Sequence, residues 1–420
     1  MQILSARMRF APSICAFLCL FALRTYARAD GTQRLDTPKE LIPATYFGMH
    51  FHHLGGVTPW PSVPVGEWRL WDCHTAWPDL EPQKGQWRFQ TLDAYLTLAA
   101  QHNTGVLLPL GLSPRWASAR PMERSTYQPG FAAEPRDIDD WREYVATVVR
   151  HCKGRVHSYE IWNEPNSKSF WTGDIVHMIT LTREASQIIH RIDPQAIVVS
   201  PAATTQSGLS WLSQFLAAGG GQFVDVIGYH FYVSPAPPEA MLPLIEQVQQ
   251  IMRQNGVGEK PLWDTESSWA SPKPFPSEEL GAAYLARSYI LTWAAGVQRF
   301  YWYSWDNHGF VVIQTTQADS QTLTPAGQAY GIIQKWLVGA RLDSCDVDSE
   351  HTWTCKLTRQ GAPQWILWNE SETKTLSVPP SWQGKTIQPL LGPAQALSGA
   401  NVQVGAAPEL VTTAGTTSSY

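Results

Sequence analysis

Eight short apolar runs alternate with amphipathic segments over residues 46–336 of this chain. Runs of this length suit buried strands, whereas the segments between them show the apolar spacing of surface helices. The candidate strands are Tyr46–His50, Glu67–Trp71, Gly105–Leu110, Val156–Trp162, Ala196–Ser200, Val224–Tyr229, Pro261–Thr265 and Val297–Ser304. The candidate helices are Thr91–His102, Ile138–Cys152, Ile175–Ile192, Gly208–Ala217, Pro238–Gln254, Ser277–Ala295 and Ala326–Leu337.

This alternation is typical of an α/β fold and predicts a (β/α)8 TIM barrel. A doubly wound sheet is the alternative, and it would require a glycine-rich phosphate-binding turn between the first strand and a helix. Gly55 and Gly56 follow the first run, but a proline- and glycine-rich loop comes next instead of a helix. The barrel is therefore the favoured architecture.

The pattern changes after Gly339, where short strand-like runs are separated by turn residues. Such runs predict a small C-terminal all-β, sandwich-like domain that packs against the barrel. A carbohydrate-binding role for this domain remains an alternative, with Trp353, Trp365 and Trp368 as candidate platforms. The expected division is a signal peptide at 1–29, a catalytic barrel at 30–339, the β domain at 340–412 and a disordered tail at 413–420.

The first 29 residues have the features of an export signal. Arg7 and Arg9 precede an apolar stretch, Phe10–Leu23, and a small-x-small cleavage pattern ends at Ala29. The apolar stretch is short for a membrane span, so cleavage is favoured over an uncleaved anchor. We expect a secreted or periplasmic protein that has no membrane partner once the signal is removed.

Four cysteines remain after such cleavage. Cys345 and Cys355 lie in one predicted hairpin, and an oxidising compartment favours a disulfide between them. Cys73 follows a predicted strand and Cys152 precedes one, so they should lie at opposite ends of the barrel and stay unpaired. No cysteine or histidine spacing in the sequence resembles a zinc site.

The composition narrows the possible partners. A net charge of −5 without clustered Lys or Arg argues against nucleic acid as the main partner. The chain has 20 tryptophans, several of them near predicted strand ends, where flat rings can stack on sugar faces. A carbohydrate is therefore the expected partner, whereas the oligomeric state is left open.

Two glutamates end apolar strands, which is unusual because charges are rarely buried. Glu164 follows the fourth strand in Tyr159–Asn166, and Glu266 ends the seventh in Pro261–Ser267. In a TIM barrel the C-terminal ends of these strands meet at one mouth. Paired carboxylates are the standard groups for cleaving glycosidic bonds.

The segment Trp162–Asn166 resembles the Asn-Glu-Pro signature of the clan A retaining glycoside hydrolases, which are built on a TIM barrel. Trp263–Glu266 is similar to the seventh-strand nucleophile segment of that clan. The Trp-Asn-Glu-Pro-Asn sequence and the following β domain most resemble family 39, which includes β-xylosidases, iduronidases and bacterial exopolysaccharide hydrolases. The cellulase-like enzymes of family 5 are the next most similar.

The resemblance implies roles for four residues. Glu164 matches the general acid/base, which must be protonated at rest. Glu266 matches the nucleophile, which must be ionised to attack the anomeric carbon. Asn163 matches a residue that binds the sugar 2-OH, and Arg69 matches a cation that lies beside the nucleophile.

Aromatic and histidine side chains are implied at the same mouth. A sixth-strand Tyr or His often contacts the nucleophile in this clan, and His230 and Tyr232 share one strand face, so either could do so. Trp305, at the end of the eighth strand, matches the Trp that forms the floor of the −1 subsite.

Further substrate-binding candidates follow the first three strands. Trp71 has the strand parity of a residue that lines the mouth, and Trp116 resembles a clan Pro-x-Trp element that borders a glycone subsite. The cluster of His50, His52 and His53 could suggest a metal, but no further ligand lies at suitable spacing. Substrate hydrogen bonding by His50 or His52 is favoured, and the chemistry requires no metal or cofactor.

These observations predict an exported, retaining β-glycoside hydrolase that cleaves O-glycosidic bonds of oligo- or polysaccharides by double displacement. The alternatives are a family 5-like endoglycanase, a transglycosylase and a non-catalytic carbohydrate-binding barrel. The sugar and its linkage are left open. The loop at residues 117–135 is expected to decide between exo and endo action, because loop shape makes a pocket or a groove.

Overall fold

The computed structural model describes residues 32–382, 385–397 and 399–413. The expected signal peptide at 1–29 and residues 414–420 of the expected tail lie outside these ranges. Thr413, with which the tail was expected to begin, is the last residue of a strand.

A parallel sheet of nine strands forms the larger part of the fold. After a first short strand, β1 (Gln33–Leu35), its strands are β2 (Phe47–His50), β3 (Glu67–Arg69), β4 (Gly105–Leu110), β5 (Ser158–Ile161), β6 (Ile197–Val199), β7 (Ala203–Thr204), β8 (Ile227–His230), β9 (Leu262–Ser267) and β10 (Val297–Trp302). The order is β6-β5-β4-β3-β2-β10-β9-β8-β7. β6 and β7 are consecutive pieces of one strand position, and a parallel bridge from Val199 to Val226 closes the ring. The predicted eight-stranded barrel is confirmed.

Helices cover the outside of the barrel. They are α1 (Trp77–Leu80), α2 (Gln90–Gln101), α3 (Ile138–Cys152), α4 (Ile175–Ile192), α5 (Gly208–Ala217), α6 (Met241–Gln254), α7 (Glu278–Ala294) and α8 (Pro325–Leu337), with 3₁₀ turns at Ala44–Tyr46, Gly220–Phe223, Pro238–Ala240 and Pro380–Trp382. The Asp137 carboxylate accepts from the backbone N–H of Asp139 and so caps α3. A cap of this kind contributes about 1 kcal/mol to stability. In the described ranges, no helix is both long and apolar enough to cross a bilayer.

Antiparallel strands follow the barrel. They are β11 (Arg341–Val347), β12 (Thr352–Arg359), β13 (Ala362–Asn369), β14 (Lys374–Ser377), β15 (Lys385–Pro389), β16 (Gln395–Ala396), β17 (Asn401–Val404) and β18 (Glu409–Thr413). Seven strands pair in the order β1-β11-β12-β13-β18-β15-β16, while β14 pairs with β17. Because β1 pairs with β11, residues 33–35 belong to this sheet and not to the barrel, in which the sequence placed them.

The cysteines are arranged as the sequence suggested. Cys345 on β11 and Cys355 on β12 are directly opposite each other and form a disulfide. Cys73 and Cys152 are free and buried. The disulfide therefore joins two neighbouring strands of the C-terminal sheet.

A buried polar contact joins the C-terminal sheet to the barrel. Arg287 on α7 donates to both carboxylate oxygens of Glu239, and the Trp368 indole donates to the same carboxylate at 3.0 Å. Trp353 stacks on Trp368, with ring centroids 5.4 Å apart. Since Trp353 and Trp368 are both buried, they cannot be sugar platforms, and half-buried Trp365 packs against Trp382.

Candidate active site

Glu164 and Glu266 face each other at the mouth of the barrel. β5 ends at Ile161, and the backbone then turns through left-handed conformations at Trp162 (φ 67°) and Glu164 (φ 44°). Such conformations cost about 1–3 kcal/mol each in residues other than glycine, so surrounding contacts must hold the turn. One of these is the Glu164 backbone N–H, which donates to the Ala202 carbonyl at 2.9 Å.

The spacing of the two carboxyl groups suits retention. A carboxylate oxygen of Glu164 and one of Glu266 lie within 4.8 Å of each other. Retaining glycosidases place their carboxyl groups about 5–5.5 Å apart, whereas inverting enzymes leave about 6.5–9.5 Å for a water molecule. The pair is therefore close enough for direct attack on a bound sugar.

Arg69 is fully buried at the end of β3 and organises the floor of the site. Its Nη1 donates to Glu266 Oε2 at 2.8 Å, and its Nη2 donates to Asn163 Oδ1 at 2.7 Å. Nε and Nη2 donate to the two carboxylate oxygens of Glu160 at 2.7 and 3.0 Å. One guanidinium thus holds Asn163 and Glu266, both expected from the sequence, together with the carboxylate of Glu160, which was not identified from the sequence.

Replacing Arg69 by methionine should destabilise the fold by about 3–5 kcal/mol, because it leaves Glu160 buried without its cation. Urea unfolding followed by circular dichroism would measure this loss. The double variant Arg69→Met/Glu160→Gln removes both charges, and it should recover part of the lost stability. If the stability losses of the single variants Arg69→Met and Glu160→Gln add up to the loss of the double variant within about 0.5 kcal/mol, the two residues are not energetically coupled.

The structure separates the roles of the two sixth-strand candidates. The Tyr232 hydroxyl donates to Glu266 Oε1 at 3.0 Å. His230 instead contacts the other glutamate, with its Nδ1 3.0 Å from Glu164 Oε1. The Nε2 of His230 lies 3.1 Å from the Thr265 hydroxyl, a second residue not identified from the sequence.

Hydrogen-bond donors, and not burial, distinguish the two glutamates. Burial raises the pKa of Glu164 to about 7, and a hydrogen bond with Thr204 and the nearby Arg69 only partly offset this. Burial raises the pKa of Glu266 to about 7 as well, against the opposing effects of His230 and Arg69. Glu266 accepts hydrogen bonds from a guanidinium and a phenol, whereas Glu164 is paired with an imidazole and a hydroxyl, those of His230 and Thr204. Because only Glu266 has a cation as its hydrogen-bond donor, Glu266 ionises first and Glu164 keeps the proton.

An aromatic wall borders the pair on the side of β3. Trp71 lies 5.5 Å from the Arg69 guanidinium and packs edge-on against Tyr127. The hydroxyls of Tyr127 and Tyr303 both donate to Asp72, the latter at 2.7 Å. A cavity of about 460 Å³ opens beside Trp71, Asp72 and Tyr127, and neither Glu164 nor Glu266 lines it. Asp72, Tyr127 and Tyr303 were not identified from the sequence.

Trp305 and Trp116 do not line this mouth. Trp305 is 1% exposed and lies in the core near Phe51, so it cannot form a sugar-binding floor. Trp116 packs edge-on against Trp77 of α1 and donates to the Glu81 carbonyl. The expectations for both tryptophans are wrong; it is Tyr303, two residues before Trp305, that joins Trp71 in the wall.

The histidines after β2 do not act as a group. His50 is fully buried behind Tyr303, with Nε2 3.1 Å from the Thr265 carbonyl. Contrary to the expectation from the sequence, it therefore does not reach a bound sugar. The backbone N–H groups of His52 and His53 donate to Asp306.

Among the described residues, three side chains at the mouth of the barrel are close enough together to hold a metal ion. They are those of Glu164, Glu266 and His230. The Arg69 guanidinium, 2.8 Å from Glu266, disfavours a second cation there.

The model of the glycosyl hydrolases family 39 matches residues 67–305, more than half of the chain. The chain belongs to glycosyl hydrolase family 39. The matched region runs from the start of β3 to just beyond β10, so it includes both glutamates. The resemblance seen in the Trp-Asn-Glu-Pro-Asn segment is confirmed, and the family places the chain among the glycosidases.

Named relatives of this family 39 chain include two β-xylosidases. That of Geobacillus stearothermophilus is 29% identical over 224 residues, which is 47% of this chain and 43% of the relative. The β-xylosidase of Caldicellulosiruptor saccharolyticus is 27% identical over 111 residues, which is 24% of this chain and 22% of the relative. The chain thus matches less than half the length of either relative.

Solved structures of family 39 share the fold. A glycoside hydrolase from Bacteroides cellulosilyticus superposes with a TM-score of 0.72 at 17% identity, covering 89% of this chain and 82% of that one. A β-xylosidase from Caulobacter crescentus gives 0.65 at 16% identity, covering 89% and 97%. At these identities the likeness concerns the fold, a barrel with a β domain.

Proposed function

We propose that this family 39 chain is a retaining β-glycoside hydrolase that acts by double displacement. The observation that carries the proposal is the pair of carboxylates within 4.8 Å, half-buried Glu164 and buried Glu266, of which only Glu266 contacts a cation. Glu266 attacks the anomeric carbon while Glu164 protonates the departing oxygen. Glu164 then takes a proton from the water that releases the sugar from Glu266.

We also propose that Asn163 binds the sugar 2-OH. Its Oδ1 accepts from Arg69, which fixes the orientation of the amide and leaves Nδ2 as the group that can donate to a ligand. The contact lies one residue before the acid, so a sugar held there would be centred between the two carboxyl groups.

The substrate we propose is a terminal β-xylosyl unit, because the named relatives are β-xylosidases. The loop at 117–135 supports exo action. Its Tyr127 reaches across to Asp72, and Arg120 holds the loop to itself through Glu123 and Glu134. A wall on this side favours a closed pocket over the open groove that an endoglycanase needs.

Export of the chain is part of the proposal. The N-terminal pattern of residues 1–29 is that of a cleaved signal, and the Cys345–Cys355 disulfide is the kind of bond that persists in an oxidising compartment.

The test is turnover of a panel of 4-nitrophenyl β-glycosides, followed by proton NMR of the first product formed. We expect the β-xyloside to be cleaved fastest and the β-anomer of the sugar to appear before mutarotation. Appearance of the α-anomer first would contradict retention. A folded chain that binds xylo-oligosaccharides but cleaves nothing in the panel would favour the non-catalytic barrel.

A further inference from the structure

A chain of hydrogen bonds leads from the floor of the site to the proposed acid. Glu160 Oε1 lies 3.2 Å from the Thr265 hydroxyl, which lies 3.1 Å from His230 Nε2. The other ring nitrogen, Nδ1, lies 3.0 Å from Glu164 Oε1. Glu160, Thr265 and His230 are all fully buried, so water cannot replace these contacts.

The direction of the chain is set at Glu160. Arg69 donates to both of its carboxylate oxygens, an arrangement that requires the ionised, acceptor-only form. The single hydroxyl proton of Thr265 is therefore donated to Glu160. A hydroxyl that has donated its proton can only accept from its next neighbour, so the Nε2 of His230 must carry a hydrogen.

The imidazole then has one proton and one lone pair. Burial lowers the pKa of His230 to about 4, with the nearby Arg69 acting in the same sense and Glu266 and Glu160 opposing it, so the ring is neutral near pH 7. With hydrogen on Nε2, the lone pair is on Nδ1 and faces Glu164. Two acceptors 3.0 Å apart repel each other unless one of them carries a proton, and here that one is Glu164.

We infer that Thr265 is a positioning residue that fixes the tautomer of His230 and thereby keeps Glu164 protonated in the resting enzyme. The inference rests on the proposed function for its catalytic meaning. When Glu164 has given its proton to the leaving oxygen, its carboxylate faces the Nδ1 lone pair and is a stronger base. That arrangement favours recovery of the proton from water in the second step.

Other groups near Glu164 act on it independently of Thr265. A hydrogen bond with Thr204 and the charge of Arg69 favour its ionised form, whereas Asp72 disfavours that form, and Glu266 lies opposite across the mouth. None of these four interactions depends on the Thr265 hydroxyl. A change at Thr265 therefore isolates the contribution of the histidine tautomer.

Thr265→Val removes the hydroxyl while keeping a branched side chain of similar shape. Without its acceptor at Nε2, His230 can place the hydrogen on Nδ1 and donate it to an ionised Glu164. We expect the basic limb of kcat/KM to move down by about one pH unit or more, which is about tenfold in activity on that limb. The loss should affect aryl glycosides with poor leaving groups and spare 2,4-dinitrophenyl glycosides, whose leaving group needs no acid.

Thr265→Ser is the matched control, because it keeps the hydroxyl and should keep the wild-type limb. If both variants have the wild-type pH profile, the inference fails. If both lose activity equally at every pH and for every leaving group, Thr265 has only a packing role and the inference also fails.

A second measurement does not depend on activity. Nitrogen-15 NMR of the labelled wild-type protein, with His230 assigned through His230→Gln, should show a protonated Nε2 and an unprotonated Nδ1. A protonated Nδ1 would overturn the inference even in an active enzyme. The expected tautomer in a protein that cleaves no glycoside would instead overturn the proposed function and leave the hydrogen-bond chain intact.

Discussion

Replacing Glu266 by glutamine should lower kcat for an aryl β-xyloside by at least about 10⁴-fold. The amide has nearly the same shape, and its single oxygen can still accept from either Arg69 or Tyr232, but it cannot attack the anomeric carbon. Steady-state kinetics with a 2,4-dinitrophenyl xyloside would measure the loss, since this substrate isolates the attack from the need for an acid. Circular dichroism should show an unchanged fold.

Glu259→Gln is a suitable control for this variant, because Glu259 is exposed in the turn just before β9, the strand that carries Glu266. It should leave kcat unchanged. A Glu266→Gln enzyme with more than about a tenth of the wild-type rate would exclude Glu266 as the nucleophile. Azide added to Glu266→Ala should yield the α-glycosyl azide, because the small anion attacks from the face that the carboxylate has vacated.

Glu164→Ala should lower kcat/KM for poor leaving groups by about 10²–10⁴-fold, the usual range for a lost general acid. The first step should be nearly unchanged for 2,4-dinitrophenyl glycosides, and azide should accelerate the second step to give the β-glycosyl azide. An equal loss for all leaving groups would contradict the acid role. An α-azide from Glu164→Ala would mean that the two glutamates have exchanged roles.

The pH profiles of the wild-type and Glu164→Ala enzymes test the same assignment of Glu164 as the acid. Activity requires protonated Glu164, so it should decline as the pH rises through the Glu164 pKa of about 7. It should also decline at lower pH, where Glu266, whose pKa burial raises as well, takes up a proton and can no longer attack. The Glu164→Ala enzyme should lack this basic limb. A limb that persists near pH 7 in the variant must belong to another group.

The sequence predicted the barrel, and it singled out the strand ends at which the structure places Glu164 and Glu266 close together, for a physical reason. Strands buried on both faces must be continuously apolar, so a charge at their end, such as Glu164 or Glu266, is conspicuous. Glu160 gave the same kind of signal, since it is a carboxylate within an otherwise apolar run, and it could have been matched to Arg69. Thr265, which donates to Glu160, could not have been singled out, because a threonine in a strand is ordinary.

The errors come from positions where regular structure ends. Trp305 was matched to a tryptophan that ends the eighth strand in the resembling clan, but β10 ends at Trp302, three residues earlier. Tyr303 takes the mouth position because of how the next turn packs. Tyr127 and Asp72 meet only through the fold of the long loop, which carries no periodic pattern. Such tertiary contacts require the structure.

The pairing of β1 with β11 also has a consequence for how the molecule is made. In a chain synthesised from its N-terminus, Gln33–Leu35 emerges before every barrel strand, whereas Arg341–Val347 emerges after all of them. The barrel can thus close before its own leading segment has a place in a sheet. That segment then forms the edge strand of the C-terminal sheet, so the chain on both sides of the barrel is fastened to one later-formed layer.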